Sequence, residues 1–205
     1  GEQGAQHSQA LHAWFAHVPG LRVVMPSTVA DARDLLIASV LCNDPVMYID
    51  DRWLYDQEDE LPPVVELDLT TQRPVVSITG GDITIVASGH ASLLAREAAQ
   101  QLENENVSVE VVDVRVLNPF HAEEIIESVK KTKNLLVVDS GWISGGFSAE
   151  VIAKVVEQLP VDCLNNPPVR IALPDAPAPT SRVLEKAYYT STDDVVKAVK
   201  KILNS

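Results

Sequence analysis

From Gly80-Gly81 onward, short β-branched runs alternate with segments whose apolar residues recur every three or four positions. This alternation restricts the possible folds more than any other feature. Ile83–Ala87 reads as a strand, and Leu93, Leu94, Ala98 and Leu102 mark a helix. Val107–Val112 is the next strand, and Asn118-Pro119 opens a helix carrying Ile125, Ile126 and Val129. Leu135–Val138, a helix bearing Val151, Ile152, Val155 and Leu159, and the strand Val169–Leu173 continue the pattern. A last helix starts at Thr192-Asp193-Asp194 and presents Val195, Val196, Val199, Ile202 and Leu203. Strands and helices in this order predict an α/β fold, a doubly wound, mostly parallel sheet covered on both faces.

A smaller unit precedes it. Ser8 is the expected N-cap of a helix with Leu11, Trp14, Phe15 and Val18 on one face, ended by Pro19-Gly20. Leu21–Met25 reads as a strand. Ser27 or Thr28 caps a helix whose apolar face is expected at Val29, Ala32, Leu36 and Val40. Asn43-Asp44-Pro45 turns the chain into the strand Val46–Ile49. Strand, helix and strand at this spacing form a βαβ unit with parallel strands. Between Asp50 and Arg73 the periodicity dissolves into an acidic run, Asp56–Glu60, and Pro62-Pro63, with one lone strand expected at Val64–Leu69. This segment has the character of a linker.

Composition narrows the function classes. With 46% hydrophobic residues in 205, the chain can bury a core, and a mean hydropathy of +0.05 fits a globular protein. The net charge of −13 argues against nucleic acid, which requires a basic face. The apolar runs Leu35–Leu41 and Leu135–Val138 are far too short for a membrane span. Two cysteines, Cys42 and Cys163, make no disulfide framework and point to a reducing compartment. The chain opens without Met in a small, polar stretch, Gly1–Gln9, the expected look of a processed or excised start.

Motifs for chemistry are sparse. The turn Ser88-Gly89-His90-Ala91-Ser92 has one glycine where a dinucleotide fingerprint needs three. Trp142–Gly146 reads as a permissive strand-to-helix turn whose amides could hold an anion. There is no Gly-x-Ser-x-Gly elbow and no His-Glu-x-x-His. Among five histidines, His7 lies in a polar stretch before a helix where an imidazole can meet a ligand, whereas His12 and His17 are expected on a helix surface. The residues alone yield a fold class and no mechanism.

Longer stretches carry a resemblance. Gly4–Gln9, Ala13–Leu21, Val23–Thr28 and Asp31-Ala32, then Asp44-Pro45-Val46, Leu54-Tyr55, Asp82–Val86, Val109–Arg115, Ser128–Thr132, Gly141-Trp142 and Gly145-Gly146 resemble one family throughout. It is that of the beta subunits of thiamine-diphosphate-dependent 2-oxo acid dehydrogenases, of the pyruvate and branched-chain type. The resemblance implies that residues 1–56 are the last part of a pyrimidine-binding domain. Residues 57–75 are then a linker, and 76–205 a transketolase-type C-terminal domain. It places the cofactor-activating glutamate upstream of these residues, and the diphosphate and magnesium site on the alpha subunit. The chain alone is therefore expected to be inactive and not to bind thiamine diphosphate.

The same resemblance assigns His7 to the active-site mouth, assisting acyl transfer to a lipoyl arm. It suggests a potassium ion held by main-chain oxygens of Ser39, Val40, Cys42 and Asp44, with Cys42 standing where relatives have aspartate. Asp50–Trp53 and Asp139-Ser140 depart from the family pattern and leave the 2-oxo acid open. The implied partners are the alpha subunit, a second beta subunit met near Gly141–Phe147, and the lipoyl acyltransferase core, met by acid at Glu123, Glu124, Glu127, Asp193 and Asp194. The implied location is the cytoplasm, or the mitochondrial matrix in a eukaryote. Alternatives are the corresponding part of a transketolase or deoxyxylulose phosphate synthase, or a non-catalytic oligomerisation and docking module.

Overall fold

The computed structural model describes residues 3–160 and 162–204, so Gly1 and Glu2 of the polar stretch Gly1–Gln9 lie outside it. The first part contains α1 (Gly4–His7), α2 (His12–Ala16), β1 (Arg22–Val24), α3 (Val29–Leu41) and β2 (Val46–Tyr48). A 3-10 turn at Arg52–Leu54 leads through an irregular stretch into β3 (Val75–Ile78), β4 (Ile83–Ala87), α4 (His90–Glu103), β5 (Val109–Asp113) and β6 (Val116–Asn118). Then come α5 (Glu123–Thr132), β7 (Leu135–Trp142), α6 (Phe147–Gln158), β8 (Val169–Leu173), α7 (Arg182–Tyr188) and α8 (Thr192–Leu203).

The larger sheet has the order β3-β5-β4-β7-β8. β4, β5, β7 and β8 are parallel, and β3 closes one edge antiparallel to β5. Alternation of side chains sorts the core. Ile83, Ile85 and Ala87 pack under α4 and α8, and Val86 packs under α5 and α6. Helices thus cover both faces, as the alternating pattern predicts. α8 begins one residue earlier in its capping than expected. Ser191 accepts from Asp194 N, and the Asp194 side chain accepts from Ser191 N, a capping box.

In the first part β1 pairs parallel with β2, which confirms the βαβ unit. On its other side β1 pairs antiparallel with β6, which follows β5 directly in the chain. A three-residue strand has too little sequence to show a period, so this joint between the two parts is invisible to periodicity.

Several local expectations are corrected. Ser8 terminates α1 and caps no helix start; α2 begins after Leu11 and ends at Ala16. Thr28 is the cap of α3, accepting from Asp31 N. Only the later half of the apolar face expected on α3 points outward: Val40 is 78% exposed and Leu36 exposed too, Val29 and Ala32 are half-buried, and Asp34, Leu35 and Ala38 are buried. Asp34 can be buried because Arg33 Nε donates to it over 2.6 Å. Val64–Leu69 forms no strand, and α5 starts at Glu123, after the cis Asn118-Pro119 bond and not at it. α7 lies where no helix was expected.

Candidate functional site

A cavity of about 320 Å³ opens between the first part and the larger sheet. Its floor is formed by the carboxyl ends of parallel strands: His90 and Ala91 follow β4, Val138–Ser140 belong to β7, and Leu173 ends β8. In the order β5-β4-β7, the chain leaves β4 toward β5 on one side, and β7 lies on the other. The cavity therefore sits at the topological switch point, where open parallel sheets bind ligands. The residues 7–12, Asp50–Trp53 and Tyr189 complete its walls.

His7, the last residue of α1, lines this cavity and is exposed. The structure thus puts it where a ligand can reach it. The four proposed potassium residues lie elsewhere, at the C-terminal end of α3. Ser39 Oγ donates back to Leu35 O over 2.6 Å, and Asp44 is tied to Arg22, whose Nε donates to it over 2.8 Å. The side chains of Ser39 and Asp44 are thus committed, while Cys42 is a free thiol and Val40 is apolar. Ser39 and Val40 belong to the last turn of the helix, where carbonyls lack intrahelical partners.

Four side chains not expected in a site shape the cavity. Trp53 meets the His90 ring edge-on, with centroids 4.5 Å apart, and Tyr189 on its other side at 4.9 Å. Burial pushes the His90 imidazole below its ordinary pKa, despite the opposing pull of Asp51 and Glu97, so the ring is neutral near pH 7. The fourth is His12. It was expected on a helix surface, yet it is 1% exposed and bonded to Asp139 over 2.8 Å. α2 packs against β1, β6 and α6, and its first residue, His12, points inward to Asp139. The only sequence signal was the acid at the end of β7.

Asp139 is itself buried, and burial works against its charge. The His12 hydrogen bond and the amides of Gly141 and Ser148, each at 2.8 Å, outweigh that and hold its pKa below the carboxylate norm. Ser148 lies in the first turn of α6, where the helix dipole favours an anion. His17 remains on the surface as expected.

The acid proposed for docking does not form one patch. Glu123, Glu124 and Glu127 lie on α5, whereas Asp193 and Asp194 lie on α8, which packs on the opposite face of the sheet. Glu123 is 2.9 Å from Arg73, Glu127 is 2.6 Å from Lys130, and Asp194 serves the cap of α8.

Comparison with known proteins places this architecture. Residues 74–195 match the family model described as transketolase, C-terminal domain. The chain belongs to that family. Residues 1–57 match the transketolase pyrimidine binding domain. Curated relatives include "Pyruvate dehydrogenase E1 component subunit beta" of Rhizobium meliloti, 38% identical over 97% of this chain and 43% of the relative. The mitochondrial subunit of Caenorhabditis elegans is 39% identical over 98% of the chain and 58% of the relative, and that of Homo sapiens 34% over 98% and 56%. The chain spans about half the length of these relatives. A solved structure, "Split gene transketolase, inactive beta4 tetramer", matches with TM-score 0.77 and 26% identity, over 98% of this chain and 63% of that one. As a member of the transketolase C-terminal domain family, the chain has a cavity at its switch point built from both matched regions. No helix among the described residues is long and apolar enough to cross a membrane.

Proposed function

We propose that the chain is part of the beta subunit of a thiamine-diphosphate-dependent 2-oxo acid dehydrogenase, which decarboxylates a 2-oxo acid and passes the acyl group to a lipoyl arm. The observation that carries this reading is identity of 34% to 39% with pyruvate dehydrogenase E1 beta subunits over nearly all of the chain. In this reading residues 1–56 belong to the pyrimidine-binding domain, 57–75 link, and 76–205 form the C-terminal domain.

His7 is the proposed catalytic residue. Opening of the dithiolane leaves one sulfur carrying the acyl group and the other in need of a proton, and an imidazole can supply it near neutral pH. Its place in the cavity wall supports the assignment. The cavity does not suit a diphosphate: Asp50 and Asp51 are anionic, and Arg52 donates to Gln3 Oε1 at 3.1 Å. Among the described residues no three His, Cys, Asp or Glu side chains gather to hold a metal. Thiamine diphosphate and magnesium are, in this reading, held by the alpha subunit and the remaining beta-subunit residues. The carbonyls near Ser39, Val40, Cys42 and Asp44 are the proposed potassium ligands, since a hard cation asks for oxygen.

The partners in this reading are the alpha subunit, a second beta subunit and the lipoyl acyltransferase core, in the cytoplasm or the mitochondrial matrix. The solved relative described as a beta4 tetramer supports self-association. Light scattering is expected to report a dimer, and a monomer at high concentration would contradict it.

The likeness to the split-gene transketolase favours a second reading, the corresponding part of a transketolase. Supplying an alpha subunit and the remaining beta-subunit sequence separates the two. Decarboxylation of a 2-oxo acid with lipoyl acylation supports the first reading, and ketol transfer between sugar phosphates supports the second.

A further inference from the structure

Trp53, His90 and Tyr189 line the cavity as a run of touching rings. Trp53 meets His90 at an interplanar angle of 79° and Tyr189 at 72°, so neither contact is stacked. An edge-on contact hides at most one ring face, and Trp53 is left 41% exposed. Tying the 3-10 turn at Arg52–Leu54 to the larger sheet accounts for the two ring contacts. It leaves the exposed indole of a cavity wall unexplained.

Negative charge lies beside these rings. Asp51 Oδ1 accepts from Trp53 N over 3.1 Å, which holds the carboxylate at the foot of the indole. Burial lowers the His90 pKa and raises that of Tyr189, while the Asp51 charge raises both, so its field reaches the rings on either side of Trp53. The other carboxylates of the cavity are occupied. Asp50 accepts from the Tyr55 hydroxyl, and Asp139 is bonded to His12 and two amides. Asp51 forms no ion pair among the described residues, and Arg52 beside it donates to Gln3 Oε1 at 3.1 Å. Met25, Ile49, Leu94 and Val138 add apolar wall.

We infer that the cavity takes a small quaternary ammonium, its head against Trp53 and Tyr189 and its charge balanced by Asp51. A ring face attracts positive charge, tryptophan most strongly, and desolvation strengthens the attraction. Methyl groups on the nitrogen suit aromatic and aliphatic walls, which offer an N–H donor no acceptor. The volume of about 320 Å³ is that of a small-molecule site. The inference concerns residues of this chain alone and stands whether or not His7 acts in acyl transfer.

The test titrates the chain with choline and with dimethylbutanol, the neutral control of the same shape in which carbon replaces the nitrogen. Calorimetry gives the affinities, and the indole nitrogen–proton signal of Trp53, assigned by its absence from Trp53→Leu, gives the place. Choline is expected to shift that signal saturably and to bind about tenfold more tightly than dimethylbutanol, or better. Asp51→Asn and Trp53→Leu are each expected to weaken choline binding roughly tenfold, whereas Trp53→Phe keeps a ring face and part of the affinity. Glu103→Gln removes the same charge at the far end of α4, about 20 Å from His90 by helix rise, and is expected to change nothing. If Trp53→Leu does not fold, Asp51→Asn and the two probes on the unaltered chain still decide. Equal affinity for the two probes, no binding of choline, or an Asp51→Asn effect no larger than that of Glu103→Gln overturns the inference.

Discussion

The Ser27 hydroxyl donates to the Asp113 carboxylate across 86 positions of sequence, and both groups are buried. Ser92 of α4 donates to the other oxygen over 2.7 Å, and Arg96, 3.7 Å from the carboxylate, also donates to Ser27 Oγ over 2.9 Å. One carboxylate at the end of β5 therefore joins the first part of the chain to the larger sheet.

Burial raises Asp113 from 3.8 to about 6, against the pull of Ser27, Ser92 and Arg96. A carboxyl with a raised folded pKa binds more protons folded than unfolded between those values. Its contribution to stability is present in full below pH 4 and is lost as pH rises to about 6, a change of roughly 3 kcal/mol. Asp113→Asn cannot titrate. The stability of the unaltered chain relative to the variant is expected to fall by about that amount between pH 4 and pH 7. Denaturant titrations at both pH values check it, and an equal difference at both would contradict it.

Gly80 is packed against backbone. A Cβ there would lie 2.2 Å from the carbonyl carbon of Val109, an impossible contact that only movement of β5 can relieve. Gly80→Ala is expected to destabilise the chain by roughly 1–3 kcal/mol, the range of an overpacked site. Gly81, whose Cβ would meet nothing within 4 Å, is the control, and Gly81→Ala is expected to change little. Thermal melts of the two variants side by side give the answer.

His7→Ala, placed in a complete enzyme, is expected to lower lipoyl acylation roughly a hundredfold or more, the usual worth of a positioned acid. Decarboxylation read with an artificial electron acceptor is expected to stay near normal, because that step does not need the thiol proton. Equal loss in both assays would remove His7 from the acyl-transfer step.

Docking of a basic module of the acyltransferase core is expected to use the α5 face, since the α8 acids lie on the other side of the sheet. Screening over roughly 8 Å at physiological salt should slow association as salt rises. Glu127→Gln should reduce that salt dependence, whereas Asp193→Asn should not. Surface plasmon resonance across a salt series measures both, and flat rates would remove the electrostatic contribution.

What the sequence determined by itself was local. The alternation after Gly80-Gly81 was enough for a sheet covered on both faces, because strand and helix periods are properties of neighbouring residues. The βαβ unit around α3 and the cap at Thr28 were legible for the same reason. His7 became a candidate through the motif around it, and the structure put it in the cavity wall. Tertiary structure decided the rest. Nothing near Val116–Asn118 announces that this short strand crosses to β1, and nothing near Leu36 and Val40 says that their face points outward. His12 reads as a surface residue until Asp139, 127 positions away, supplies the carboxylate that makes its burial affordable. Burial of a polar side chain depends on a partner, and the partner is chosen by the fold, not by the neighbouring sequence.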